Sequence, residues 1–136
     1  LFTKTWYYNN PNNTADDKAF AAAYMKKHNR PAADKAWMGW FGMKSLLGAI
    51  EMAKSTEGPK VAEALEKWRV RDGDLDVGYR DFDHQMVRRT LVCQVKPKIT
   101  DKWDYFDVAA NLPRATGDLE KAFGNKSNTA CVMDGV

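Results

Sequence analysis

The densest group of side chains with chemical capacity is Arg80-Asp81-Phe82-Asp83-His84-Gln85. An enzyme built there would use Asp83 and His84 as an acid/base pair or, with Asp81, as metal ligands. Adjacent residues point apart on a regular element. No nucleophile elbow, Gly-rich phosphate loop or His-Glu-x-x-His pattern accompanies them. The plainer reading is a polar turn ahead of a strand, with aspartate capping backbone N–H groups and histidine donating locally. No catalytic residue is expected. The other histidine, His28, falls at a helix end, where a cation suits the helix dipole. Cys93 and Cys131 are too few and too far apart for a metal site of the paired-cysteine kind, so neither metal nor cofactor is expected. They are two free thiols or one disulfide; the latter would contribute about 3–4 kcal/mol in an oxidising compartment.

The bulk numbers narrow the class. At 136 residues the chain is about one domain by length and large enough to bury a core. With 44% hydrophobic and 29% charged residues it reads as globular, not disordered. A net charge of +3, from 21 basic and 18 acidic residues, does not point to nucleic acid. Arg88-Arg89 reads as a solvated strand face. The aromatics lie mostly at helical core spacing, whereas stacking on nucleic acid calls for alternation with Lys and Arg in strands. No apolar run approaches the length of a membrane span. Leu1-Phe2, followed at once by Lys4, does not read as a signal peptide; a mature secreted chain and an internal fragment would both begin this way.

The elements that must position any site follow from local signals. Leu1–Tyr8, aromatic and β-branched, predicts a strand. Thr14 with Asp17 is a capping-box start for a helix over Ala15–His28, stopped by Asn29-Arg30-Pro31. Asp34–Ser55 is the longest run compatible with one continuous helix, and it contains no proline. Ala36, Trp40, Met43, Leu47 and Ile50 recur there at helical intervals, and Trp37, Phe41, Leu46 and Ala53 widen the apolar stripe. A helix so apolar belongs inside something. Gly39, Gly42 and Gly48 each cost about 1 kcal/mol against alanine, which suggests another backbone close by. Pro59 opens a short helix over Lys60–Trp68. Arg69–Gly78 reads as loop leading into an irregular strand. Val87–Val95 reads as one β run and Lys102–Ala110 as a strand with bulk on both faces. Pro113–Phe123 predicts a last helix, with Asn125–Val136 as a tail. The whole is α/β, with too few strands to cover its central helix.

Five of these pieces, taken in order, resemble the C-terminal third of a type I periplasmic solute-binding protein of ABC importers. The branch is the one that includes leucine/isoleucine/valine, amide and aromatic-acid binders. Thr5-Trp6-Tyr7-Tyr8 with Asn10-Pro11 resembles the strand returning from the second lobe to the first. Phe20–Tyr24 with Lys26-Lys27 and Arg30-Pro31 resembles the family's F-x-x-x-Y helix and its closing proline. Trp40-Phe41-Gly42 with Leu46–Ser55 resembles the long Y-D-A…L-L-x-x-A-I-x-x-A helix, and Val61–Leu65 the V-x-x-A-L that follows. Arg80-x-x-Asp83-His84-Gln85 is close to the family's R-x-x-D-H-Q, and Val92–Lys96 and Trp103–Phe106 fit the strands after it. Trp40 and Phe41 depart from the usual Tyr-Asp, and Arg69–Tyr79 carries more charge than usual.

The resemblance implies a two-lobed fold of which this chain holds part. About 9–78 would be lobe-one helices, 79–112 strands returning to lobe two, and 113–136 a C-terminal tail. It implies capture of a branched-chain, amide or aromatic amino or organic acid in the periplasm, and delivery to a membrane permease, without catalysis. A ligand-sensing regulator or receptor sensor domain is the alternative use of the fold. The expected partners are the ligand, the permease and the remaining N-terminal part of the protein. Lys35 and Trp37 are the implied ligand contacts, Trp6, Tyr7 and Tyr8 lie near the hinge, and Arg80, Asp83, His84 and Gln85 are a structural signature.

Overall fold

A computed structural model describes residues 1–127 and 130. The chain divides into two units. The first comprises Leu1–Gly39 and Arg89–Arg114; the second comprises Trp40–Arg88 and the segment from Ala115 onward.

In the first unit, β1 (Phe2–Lys4), β5 (Thr90–Val95) and β6 (Phe106–Leu112) form an antiparallel sheet in the order β1-β5-β6. Phe2 pairs with Cys93 and Val95 with Phe106, with an irregularity between Val92 and Cys93. Tyr7, Leu91 and Cys93 are buried together, with Phe106 and Val108 packed on them. Helix α1 spans Ala15–His28. Thr14 and Asp17 close the expected capping box, each backbone N–H donating to the other's side chain. Asn29, in the left-handed region at φ 52°, ends the helix.

Helix α2 (Asp34–Ala53) crosses from the first unit into the second. Within the second unit it packs on α3 (Gly58–Lys67) through Ala49, Val61 and Ala64. A second sheet, order β2-β3-β4, is built from Arg69–Asp72, Leu75–Tyr79 and Met86–Val87. Leu75, Val77 and Val87 bury against Leu119 of α4 (Thr116–Phe123).

Several sequence expectations are corrected. The strand predicted over Leu1–Tyr8 ends at Lys4, because Trp6 and Tyr7 leave the ladder to become core. Arg69–Gly78 is a tight hairpin, not a loop: Asp72 pairs with Leu75 across Gly73-Asp74, and Gly73 takes φ 65°. The run Val87–Val95 is two strands in two sheets, since Met86–Val87 pairs with β3 and Thr90–Val95 with β1 and β6. Arg88-Arg89, between them, is not a solvated face. Arg88 lies 3.6 Å from Asp72 and over the Phe41 ring. Arg89 is buried and donates to the carbonyls of Pro113 and Arg114. The strand expected from Lys102 begins only at Phe106, because an Asp101 turn takes up Trp103.

The glycine reading is also revised. A Cβ on Gly39 or Gly42 would meet nothing within 4 Å, while one on Gly48 would lie 2.5 Å from Trp68 Nε1. The close neighbour is an indole, not a backbone. The apolar breadth of α2 is left in the open: Met38, Met43, Leu46, Leu47 and Met52 are exposed, Leu47 to 57%.

Candidate functional site

The Arg80–Gln85 cluster lies in the second unit and closes on itself. Arg80 holds Asp83 through both carboxylate oxygens and donates to Gln85 Oε1 and to the backbone oxygen of Gly124 just after α4. Arg80 N donates to the carbonyl of Gln85, and His84, at φ 52°, donates its N–H to the carbonyl of Arg80. The hydrogen bond from Arg80 holds the Asp83 carboxyl below its usual range, against a smaller upward push from burial. A carboxylate so stabilised in its charged form is a poor general base. His84 Nε2 faces Glu66 Oε1 at 2.8 Å, not Asp83. The geometry supplies no dyad of Asp83 with His84. It folds a turn and anchors the end of α4.

Cys93 is a free thiol, fully buried, and burial pushes its pKa up. Its expected alternative partner, Cys131, lies outside the described residues. No group of His, Cys, Asp and Glu among the described residues could hold a metal.

The first unit gathers the residues expected near the hinge. Trp6, Phe20 and Trp37 form one aromatic cluster, with Trp6 and Trp37 stacked at 6.0 Å and 14°. Trp37 is 3% exposed and donates from Nε1 to Asp17 Oδ1 at 2.6 Å, which ties α2 to the capping box of α1. Lys35, two residues earlier, is exposed. Tyr7 donates its hydroxyl to Asp104 Oδ1 at 2.8 Å, and Lys96 pairs with the other oxygen. Burial and then Asp104 drive the Tyr7 hydroxyl far above its ordinary pKa; burial and nearby aspartates push Tyr8 up to about 12. Both phenols stay protonated near neutrality. For Asp104, burial works upward, but bonds from Lys96 and Tyr7 prevail and its carboxyl stays ionised below the usual range.

Beside this network lies a cavity of about 180 Å³ bounded by Lys4, Trp6, Tyr8, Arg30, Asp34, Trp103 and Tyr105 among others. Lys4 Nζ is 3.6 Å from Asp34 and 5.5 Å from the Phe106 ring centroid. Sequence reasoning did not single out Lys4, Asp34 or Trp103 for this region, and used Arg30 in a helix stop and, with Pro31, in the family resemblance. What joins them is contact between residues far apart in the chain, Tyr7 and Phe106 being 99 positions apart, which no local pattern announces. In the second unit a larger cleft of about 720 Å³ is lined by charges of both signs, including Arg80. Arg80 is already engaged by Asp83, and Arg69 by the carbonyls of Glu66 and Trp68.

The periplasmic binding protein family matches residues 1–102. The chain belongs to that family. Among solved structures it is similar to a periplasmic binding protein of Burkholderia mallei, at 27% identity and a TM-score of 0.76, covering 95% of this chain and 32% of that one. An amino acid ABC transporter substrate-binding protein of Pseudomonas fluorescens shares the fold at 19% identity, TM-score 0.77, over 96% of this chain and 33% of that one. So does a branched-chain amino acid ABC transporter periplasmic ligand-binding protein of Burkholderia xenovorans, at 22% identity and TM-score 0.73, over 98% and 34%. No curated protein matches. The chain thus spans about a third of the length of the solved structures it matches. Its mixed α/β fold is the corresponding part of a periplasmic binding protein fold.

Proposed function

We propose that the chain is the C-terminal part of an extracytoplasmic solute-binding component of an ABC importer. The family match over residues 1–102 carries this reading. In it, the complete polypeptide captures a small amino acid or related organic acid between two lobes and delivers it to a membrane permease. The lobes close on the ligand by a hinge motion. The role is binding, without catalysis, and the location is the periplasm. The pairing of Arg80 with Asp83, which engages both oxygens of that carboxylate, supports the non-catalytic part.

Lys35 and Trp37 are the proposed ligand contacts on this chain, one as a cation for a carboxylate and the other as apolar backing. Trp6, Tyr7 and Tyr8 are the proposed hinge-proximal residues. The exposed apolar face of α2 supports a further partner, the remaining N-terminal part of the same protein. The test is calorimetric titration of the complete polypeptide with leucine, glutamine and phenylalanine. Micromolar binding of at least one supports the reading, and no binding of any amino or organic acid contradicts it.

A further inference from the structure

Helix α1 concentrates positive charge that the proposed function leaves unused. Lys18–Arg30 holds four basic residues, Lys18, Lys26, Lys27 and Arg30, and no acid. That stretch is net +4 in a chain of net +3, so the remaining residues together are net −1. All four are exposed, and none forms an ion pair among the described residues, unlike Lys4, which Asp34 holds. The helix divides by face. Asp17, Phe20 and Tyr24 turn toward the protein, with Phe20 against Trp6. Lys18, Ala22, Met25 and Lys26 recur at spacings of three and four on the exposed face, where Met25 is 37% exposed. Lys27 and Arg30 carry the charge through the last turn and beyond it. The helix dipole favours cations in that last turn, but it does not account for Lys18 near the start of the helix.

Unpaired cations around an exposed apolar side chain match a layer that is anionic at its surface and apolar just beneath. An acidic protein face is the poorer match. It fixes its carboxylates in place, and pinning long lysine side chains on them costs rotamer freedom. Lipid headgroups are mobile and gather around the cations where these stand. We propose that the exposed face of α1 docks on an anionic phospholipid bilayer, with Lys18, Lys26, Lys27 and Arg30 over the headgroups and Met25 at the interface. At 14 residues the helix lies on the membrane and does not cross it. Four cations give weak, reversible attachment that salt screens. The inference goes beyond the solute-binding reading and uses neither Lys35 nor Trp37.

The experiment is co-sedimentation of the complete polypeptide with vesicles of pure phosphatidylcholine and of phosphatidylcholine mixed equally with phosphatidylglycerol. Binding to the mixed vesicles alone is expected at about 0.01 M ionic strength, with release at about 1 M. Lys26→Gln with Lys27→Gln should lower the partition onto mixed vesicles by at least about tenfold. Lys26→Arg with Lys27→Arg keeps the charge and should bind as the native protein does. Lys60→Gln with Lys126→Gln removes the same charge from exposed positions of the second unit and should change little. Lys26 and Lys27 are exposed, so their variants keep the native far-ultraviolet spectrum and any loss is one of binding. Equal binding to both vesicle types, or binding to neither at low ionic strength, overturns the inference. So does an equal loss in the Lys60/Lys126 variant, which would make the effect one of net charge. Binding to soluble polyglutamate that needs Lys26 and Lys27, without binding to vesicles, overturns it in favour of an acidic protein partner.

Discussion

Arg80 directs its guanidinium at Asp83, Gln85 and the backbone beyond α4, with side chains of Arg80 and Asp83 about nine-tenths buried. Removing the carboxylate leaves a buried cation without its counter-charge. Asp83→Asn should therefore lower unfolding free energy by about 2–3 kcal/mol in urea titration at pH 7. The pH dependence has a fixed sign. The folded pKa of Asp83 lies below the unfolded value, so its contribution is complete above the unfolded value and fades as pH falls through the folded one. Native protein and Asp83→Asn should converge in stability below about pH 4, and a constant difference from pH 7 to pH 3 would contradict this assignment. Trp37 gives a second test at this scale. Trp37→Phe keeps the stack on Trp6 but deletes the donor to Asp17, with an expected loss of about 1–2 kcal/mol in the same assay.

At the scale of elements, Gly48 is where α2 accommodates Trp68, the residue that follows α3. Gly48→Ala places a methyl 2.5 Å from the indole nitrogen, and a destabilisation of about 1–3 kcal/mol is expected. Gly42→Ala, whose methyl meets nothing within 4 Å, is the milder change, and thermal melts of both variants compare them directly. What could be read from sequence follows the range of each interaction. Helix α1 runs Ala15–His28 as its capping box and its Asn-Arg-Pro stop dictate, and α2 starts at Asp34 as its apolar period requires. Those signals act within a few residues. The hairpin at Gly73-Asp74 was also written locally, in a glycine flanked by aspartates, but the surrounding charge hid its strands. The split at Arg88-Arg89 had no local mark. Two adjacent arginines look alike in sequence, and only their partners, Asp72 for one and the Pro113 and Arg114 carbonyls for the other, tell them apart. The cavity was illegible for the same reason, since its wall joins the chain's start, the α1–α2 turn and the β5–β6 connection.

At the scale of the molecule, the second unit buries a modest apolar cluster around Leu75, Val77, Val87 and Leu119, while α2 leaves Met43, Leu47 and Met52 more than half exposed. A soluble protein rarely presents such a face to water without covering it. In the proposed reading the remaining polypeptide covers that face, in keeping with the match to only about a third of each solved relative. Residues 1–136 expressed alone should enhance the fluorescence of a hydrophobic dye, and the complete polypeptide should not. The most direct measurement is a paired calorimetric titration of the complete polypeptide and of residues 1–136 alone with leucine, glutamine, phenylalanine and phenylacetate. Micromolar binding by the complete polypeptide, with none by the isolated segment, is the predicted result. Equal affinity in both, or no binding in either, would contradict the account of this chain as one part of a two-lobed solute-binding protein.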